Sequence, residues 1–154
     1  MTEPWHGQTL AVMKLSPARS ETTEAYLAEA GPQLAALCTT CGACFEACPM
    51  VRYSGLTNTD AKAVTAGLRQ LAIGEAAGAD TVAWVGVCAK SGLCRSACPE
   101  QGAGLDAMLL IRIARQRAIN DTKQLQPKYD QMAFPRVKTF ARLQLTDEEL
   151  AKWL

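Results

Sequence analysis

Two cysteine motifs contain the residues of this chain whose types and spacing could do chemistry. Cys38–Pro49 has the complete pattern C-x2-C-x2-C-x3-C-P, and Cys88–Pro99 repeats that frame with Ser91 at the second cysteine position. All seven cysteines of the chain fall within these two motifs. Such a doubled pattern is typical of proteins that bind two iron–sulfur clusters, in which the fourth cysteine of each motif serves the other cluster.

The spacing assigns the cysteines to two crossed ligand sets. Three cysteines at three-residue steps can reach three corners of one cluster, whereas the cysteine before the proline is carried away because proline cannot extend a helix. The first cysteine set is Cys38, Cys41, Cys44 and Cys98, expected to bind a 4Fe–4S cluster, and the second is Cys48, Cys88 and Cys94 with Ser91 at the fourth corner. Each set joins distant segments, so metal binding should also drive folding.

Ser91 leaves three outcomes open for the second cluster. The corner iron is absent, which gives a 3Fe–4S cluster on three thiolates; or it is bound by the Ser91 oxygen, water or another non-cysteine group; or it is labile. A neutral hydroxyl is a poorer ligand than a thiolate for iron in a sulfide cluster, and this favours the 3Fe–4S cluster.

Zinc and disulfides are the alternative uses of these cysteines. A structural zinc site needs ligands in pairs, whereas each motif places its cysteine positions at successive three-residue steps and adds a further cysteine before proline. The only histidine, His6, is remote from both motifs. Disulfides fit poorly because seven is an odd number and the chain begins without a signal segment. Iron–sulfur binding is therefore the favoured interpretation.

Composition places the chain among globular proteins without a strong charge bias. It has 154 residues, of which 49% are apolar, and a net charge of +1. The longest apolar run, Thr81–Ala89, is too short to span a bilayer. We expect a cytoplasmic protein, because unpaired cysteines suit a reducing compartment. We expect no direct membrane insertion, so any association with a membrane would be through partner subunits.

Apolar periodicity predicts helices and no convincing strand. The expected helices are Ser20–Leu37, broken at Gly31-Pro32, then Ala61–Ala76 capped by Thr59 or Asp60, and Leu105–Asn120. For the short buried segment Ala79–Val87, periodicity does not distinguish a helix from a strand, and we favour a helix.

The C-terminal part combines an expected irregular segment with a short helix. Asp121–Leu143 contains Pro127 and Pro135 and is expected to be irregular. Thr146 and Glu149 form a capping-box pattern that predicts a final helix.

The section from Leu37 to Asn120 resembles the α-helical ferredoxin domain of succinate dehydrogenase and fumarate reductase iron–sulfur subunits and of heterodisulfide reductase C. The Cys88–Pro99 motif looks like the three-iron motif of the succinate dehydrogenase type. Cys38–Cys44, with Gly42 after its second cysteine, is closer to heterodisulfide reductase C. The chain departs from the first relative in having no cysteine before Cys38 for a 2Fe–2S domain, and from the second in lacking one cysteine of the second motif.

The resemblance implies an all-α fold with two cysteine-rich cluster-binding loops. The expected division is an N-terminal tail at 1–20, a dicluster domain at 21–121, and a C-terminal extension at 122–154. We expect this extension to act as a partner-docking arm, with folding back over its own helices as the alternative. The implied function is that of an electron-transfer subunit of an oxidoreductase complex, and not of an enzyme by itself. Its expected partners are a flavoprotein, a subunit with Cys-Cys-Gly repeats similar to heterodisulfide reductase B, or both.

Residues around the motifs offer ways to tune the clusters. Gly42 and Gly92 let backbone amides come close to the sulfurs. Lys90 and Arg95 would favour an added electron, or are simply solvated. Trp84 is expected in the core, with packing against the second cluster as the alternative.

A basic stripe between Ala107 and Arg142 supports a second hypothesis. Eight cations and interleaved aromatic residues could bind nucleic acid in an iron–sulfur regulator, although an acidic partner subunit explains them equally well and we expect no nucleic acid. A zinc-stabilised interaction module is the third hypothesis. The stripe contains Arg112, Arg115, Arg117, Lys123, Lys128, Arg136, Lys138 and Arg142, with Tyr129, Phe134 and Phe140.

Overall fold

Every regular element in the described part of the chain is a helix, as the sequence predicts. The computed structural model describes residues 22–119 and 132–153. The α-helices are α1 Thr23–Leu37, α2 Ala43–Glu46, α3 Val51–Ser54, α4 Ala61–Ile73, α5 Ala79–Gly86, α6 Leu93–Ala97, α7 Ala107–Ile119, α8 Ala133–Gln144 and α9 Asp147–Trp153, with a 3₁₀ turn at Pro99–Ala103.

The core lies where α4 and α7 pack together, with α1 and α5 against them. Leu34, Leu68, Leu110 and Ile113 are almost completely buried there. The short helices α2 and α6 pack against each other at one side of this core. The helices α1, α4, α5 and α7 thus form a scaffold from which the two cysteine-rich loops extend side by side.

The expected break at Gly31-Pro32 is wrong, because α1 is continuous with Pro32 inside it. A proline within a helix costs roughly 3 kcal/mol. Leu27 and Leu34, on either side of the proline, are both buried, and each such burial contributes about 1.5–3 kcal/mol. Gly31 lies where α1 crosses α4, and a side chain there would collide with the Ala72 carbonyl. The free energy gained by packing α1 into the core therefore outweighs the cost of the proline, and the helix stays continuous.

Three of the predicted helices are present with slightly different bounds: α4 ends at Ile73 instead of Ala76, α5 ends at Gly86 instead of Val87, and α7 begins at Ala107 instead of Leu105. The Asp60 side chain caps α4 by accepting from the Lys62 N–H at 2.9 Å, and Gly74 ends that helix in a left-handed conformation. The apolar run before Cys88 is the helix α5. Asp106 caps α7 by accepting from the Leu109 N–H at 3.0 Å.

The expectation of an irregular segment is wrong for its described part, because α8 occupies Ala133–Gln144; residues 121–131 lie outside the described residues. Pro135 is the third residue of this helix. Proline is tolerated in a first turn because the N–H groups there have no partner within the helix. Pro127 lies outside the described residues.

The predicted capping box of the last helix is present. The Thr146 N–H donates to the Glu149 carboxylate at 2.9 Å, and the Glu149 N–H donates to the Thr146 hydroxyl oxygen at 3.3 Å. The helix α9 follows from Asp147.

Within residues 22–119 and 132–153, no helix has the length and apolar character needed to cross a membrane.

Candidate metal centres

The first cysteine set lines one small cavity. Cys38 follows α1, Cys41 and Cys44 lie in the next loop and α2, and Cys98 comes from the end of α6, about sixty residues from the others. Half of the other lining residues are apolar, namely Leu68, Leu105, Ala107 and Leu110; the rest are Thr39, Gly42, Thr65 and Glu100. The fold thus brings together the four side chains that the spacing assigns to one cluster.

The second cysteine set lines a separate cavity. Cys88 follows α5, Cys94 lies in α6, and Cys48 arrives from the first motif. Ser91 lines the same cavity, at the fourth position of the set. The other lining residues are Trp84, Ala89, Lys90, Met108 and Ile111. Both crossed groupings are therefore present in the fold, and ligation by them stays a prediction.

Contacts between the two motifs explain why the last cysteine of each motif lines the cavity of the other motif. The packing of α2 on α6 places the end of each motif beside the other loop. The Thr39 hydroxyl donates to the Glu100 carboxylate at 3.2 Å, which joins the first loop to the segment after Cys98. Cys44 and Cys94 lie close enough for charge on one to affect the other. The two cavities are thus neighbours in one structural unit.

The two loops have the same backbone conformation. Thr40 and Lys90 occupy equivalent positions and have φ of 55° and 60°, while Gly42 and Gly92 have φ of 92° and 82°. In each loop the residue two after the first cysteine donates its N–H to that sulfur: Thr40 to Cys38, and Lys90 to Cys88 at 3.4 Å. Because non-glycine residues rarely adopt positive φ, this repeated conformation points to a loop shaped around a ligand.

The loop equivalence defines the place of Ser91. It stands where Cys41 stands in the first loop. Cys41 is the exposed member of the seven cysteines, and Ser91 is half-buried. The corner without a thiol is therefore equivalent to the corner of the first set that is nearest to solvent.

Burial disfavours the charged form of most of these thiols. It raises the pKa of Cys44 to about 12 and the pKa of Cys94 to about 11, with neighbouring cysteines adding to the effect. Burial also raises the pKa values of Cys38, Cys48 and Cys98. Thiolates here need positive charge beside them, and cluster irons supply it while displacing the protons. The donor set is therefore suited to a metal cluster.

Trp84 combines the two roles that the sequence left as alternatives. Its side chain is 2% exposed and packs edge-to-face on Phe45, with the ring centres 5.3 Å apart. It also lines the second cavity, where its indole N–H is a hydrogen-bond donor to the Cys48 sulfur. The backbone N–H of Met50 donates to the same sulfur. Trp84 is thus a core residue and a neighbour of the second set.

Arg69 and the Thr39–Glu100 contact were not found by sequence reasoning. Burial raises the pKa of Cys38, and the positive charge of Arg69 on α4 acts in the opposite direction. Arg69 is twenty-eight positions after Cys41, so only the packing of α4 brings it near the first cavity. No local motif signals a contact of this kind.

The other charged residues singled out in the sequence lie at the surface or in helix contacts. Lys90 and Arg95 are exposed, which agrees with solvated charges. Arg136 and Arg142 of the basic stripe are held by hydrogen bonds to the domain. Lys123, Lys128 and Tyr129 lie outside the described residues.

The geometry suits a cluster in each cavity. In residues 22–119 and 132–153, no three or more His, Cys, Asp or Glu side chains converge closely enough to hold a single metal ion. The thiols of each set instead surround a space. An iron–sulfur cluster suits this arrangement because its cysteines bind different irons.

Comparison with known proteins identifies the domain. Residues 34–102 match the family model described as the 4Fe-4S dicluster domain, and the match spans both cysteine motifs. No curated protein and no solved structure matches the chain. The match supports a 4Fe–4S ferredoxin-like domain at residues 34–102 and an iron–sulfur electron-transfer role for it.

Proposed function

We propose that this chain is the electron-transfer subunit of a multi-subunit oxidoreductase, similar to heterodisulfide reductase C. It passes single electrons between a flavin-containing partner and another redox subunit or a quinone-linked acceptor. The supporting observation is the pair of neighbouring cavities, each lined by one crossed set. Two redox centres side by side in one small domain suit a relay of electrons better than a substrate reaction.

In this proposal the first set binds a 4Fe–4S cluster and the second set binds a 3Fe–4S cluster. Such clusters supply one-electron storage. The chain holds them by three or four thiolates each and shields them with apolar residues, Leu68 and Leu110 at the first cavity and Met108 and Ile111 at the second. Ser91 offers a neutral hydroxyl at the remaining corner, where a fourth iron would be weakly held.

Residues around the sulfurs set the ease of reduction. The N–H groups of Thr40 and Lys90 donate to the first cysteine of each loop. These hydrogen bonds stabilise the reduced cluster, which is the more negative form, and they therefore raise the reduction potential of the cluster. Arg69 adds a positive charge near the first set, and Trp84 adds a further donor at the second. The two centres therefore differ in ligand number and in surroundings, so they should be reduced at different potentials.

Potentiometric titration tests the electron-transfer part of the proposal. Anaerobically purified protein is reduced stepwise in the presence of redox mediators, while EPR follows each centre. Two centres should each take up one electron reversibly, at separate midpoint potentials. Centres that bleach irreversibly on the first reduction would contradict a relay.

Co-expression tests the complex. The chain is produced together with a flavoprotein, or a Cys-Cys-Gly-repeat protein, encoded beside it in its genome. The proposal predicts a complex in which the reduced partner transfers electrons to both centres. Clusters that cycle normally in a chain that binds no such protein would contradict the assignment as a subunit.

A further inference from the structure

The helix α8 has an unusual orientation, with apolar side chains toward solvent. Six large hydrophobic side chains are exposed in the part of the chain that the structure describes, and four of them lie on α8. Phe134 is 63% exposed, Val137 58%, Phe140 38% and Leu143 45%. We call these four exposed residues the outer face of α8. Helical periodicity places Phe134 and Val137 on the side away from Thr139, and Phe140 and Leu143 nearer to it. A concentration of exposed apolar area on one helix usually marks a contact surface.

Polar contacts fix this orientation. The Arg136 guanidinium donates to the carbonyls of Gly86 and Val87 at 3.2 and 3.3 Å. The buried Thr139 hydroxyl donates to the Met50 sulfur at 3.3 Å. Arg136 and Thr139 thus attach one side of α8 to the domain, and the helix cannot turn Phe134 and Val137 inward without losing these contacts.

The points that anchor α8 adjoin the second cysteine set. Gly86 and Val87 directly precede Cys88, and Met50 follows Cys48 by two residues. Met50, Val87 and Ala89 form a small apolar cluster of their own, against which Cys48 also packs. A molecule bound on the outer face of α8 would therefore lie on the side of the domain that holds the second set.

Charge distinguishes between candidate occupants. The helix α8 carries no acidic residue, and because Arg136 is bound to the domain, its cations available to an occupant are Lys138 and Arg142. An acidic rim on the occupant would complement these cations, whereas a second copy bound through the same face would bring like charges together. The chemistry of the surface thus favours a different protein with an apolar patch and acidic surroundings.

We propose that the outer face of α8 is the docking surface for an acidic redox partner subunit that exchanges electrons with the second centre. This inference rests on the proposed electron-transfer function and adds the place where the partner binds. The apolar residues provide the contact area, and the cations Lys138 and Arg142 orient the partner.

Site-specific photocrosslinking in the full-length, cluster-loaded protein tests the docking surface. The photoreactive residue p-benzoylphenylalanine replaces Val137 in one variant and Val82 in a control. Val82 is a valine on α5 that is 39% exposed. After irradiation in the native cells, the adduct is identified by mass spectrometry. We expect the Val137 variant, but not the Val82 variant, to crosslink to an acidic protein that contains flavin or iron–sulfur clusters.

A second pair of variants measures the contribution of the face to binding. V137E combined with F140E should weaken co-purification of the crosslinked partner at least tenfold, and V82E should leave it unchanged. Clusters in the purified double variant should titrate as in the parent protein, because neither residue contacts a cysteine set. Failure of docking is thereby distinguished from failure of the proposed function, which would appear as loss of reversible reduction in the parent protein.

Several outcomes would overturn the inference. These are an adduct between two copies of this chain, an adduct within one chain, an adduct to a protein without a redox cofactor, equal adducts from Val137 and Val82, or no adduct. Unchanged partner binding by the glutamate double variant would also overturn it.

Discussion

Ser91 makes two otherwise equivalent loops chemically unequal. Thr40 and Lys90 share a left-handed conformation, as do Gly42 and Gly92, so the loops differ chiefly in what they offer at the second ligand position. A thiol in the first loop corresponds to a hydroxyl in the second. Because the backbone already has the shape of the complete loop, restoring the thiol should require no rearrangement.

Ser91→Cys should convert the second centre into a 4Fe–4S cluster. The iron content should rise by about one atom per chain, because a fourth thiolate is then available under the ligand rule for such motifs. The EPR signal of an oxidised 3Fe–4S cluster should disappear. Ser91→Ala is the matched control and should keep that signal, whereas an unchanged iron content in the cysteine variant would contradict this role of Ser91.

Trp84→Phe should make the second centre harder to reduce. The substitution keeps an aromatic ring in the core and removes the indole N–H that donates to the Cys48 sulfur. Loss of a hydrogen bond to a ligand sulfur moves the reduction potential to a more negative value. Potentiometric EPR measures both centres in one sample, so the first centre is an internal control. Equal shifts of both potentials would show a general packing effect instead.

At the scale of elements, local patterns predicted the motifs and most helices, and tertiary packing decided the exceptions. The capping box at Thr146 and the cap at Asp60 are formed within a few residues and could be predicted from the sequence. The continuity of α1 through Pro32 depends on leucines buried against other helices. The effect of the Arg69 charge on Cys38 depends on where α4 packs. No sequence window contains that information.

Crossed ligation predicts that replacing the cysteine before the proline of one motif damages the cluster bound mainly by the other motif. Cys98→Ala should impair the 4Fe–4S centre of Cys38, Cys41 and Cys44, because Cys98 lines that cavity. Cys48→Ala should impair the 3Fe–4S centre for the same reason. Iron content and EPR of the two single variants provide the comparison, and each variant controls for the other. Damage confined to the cluster of the mutated motif would refute the crossing.

Gly31→Ala should destabilise the crossing of α1 and α4. The added methyl group would meet the backbone of Ala72, and overpacking of this kind costs about 1–3 kcal/mol. Gly86→Ala is the control, because a methyl group at Gly86 in α5 meets no atom within 4 Å. Heating with visible absorption as the readout should show cluster loss at a lower temperature for the Gly31 variant alone. Identical curves for the two variants would contradict the close contact.

At the scale of the whole molecule, the scaffold of α1, α4, α5 and α7 holds two cysteine-rich loops. The last cysteine of each motif lines the cavity of the other motif. The sequence predicted this all-α dicluster organisation from the cysteine spacing and the helical periodicity. It did not predict α8, whose polar side anchors on Met50, Gly86 and Val87 while its apolar side faces out. The helix α8 thus packs on its own domain, and docking of a partner on its exposed side stays a proposal.

Iron and acid-labile sulfide analysis of anaerobically purified protein, combined with EPR, tests the central claim most directly. Two unequal clusters on seven thiolates should give about seven iron and about eight sulfide atoms per chain. The oxidised protein should show the signal of a 3Fe–4S cluster, and the reduced protein that of a 4Fe–4S cluster. Zinc without sulfide, a single cluster per chain, or eight firmly bound irons without the 3Fe–4S signal would contradict the account.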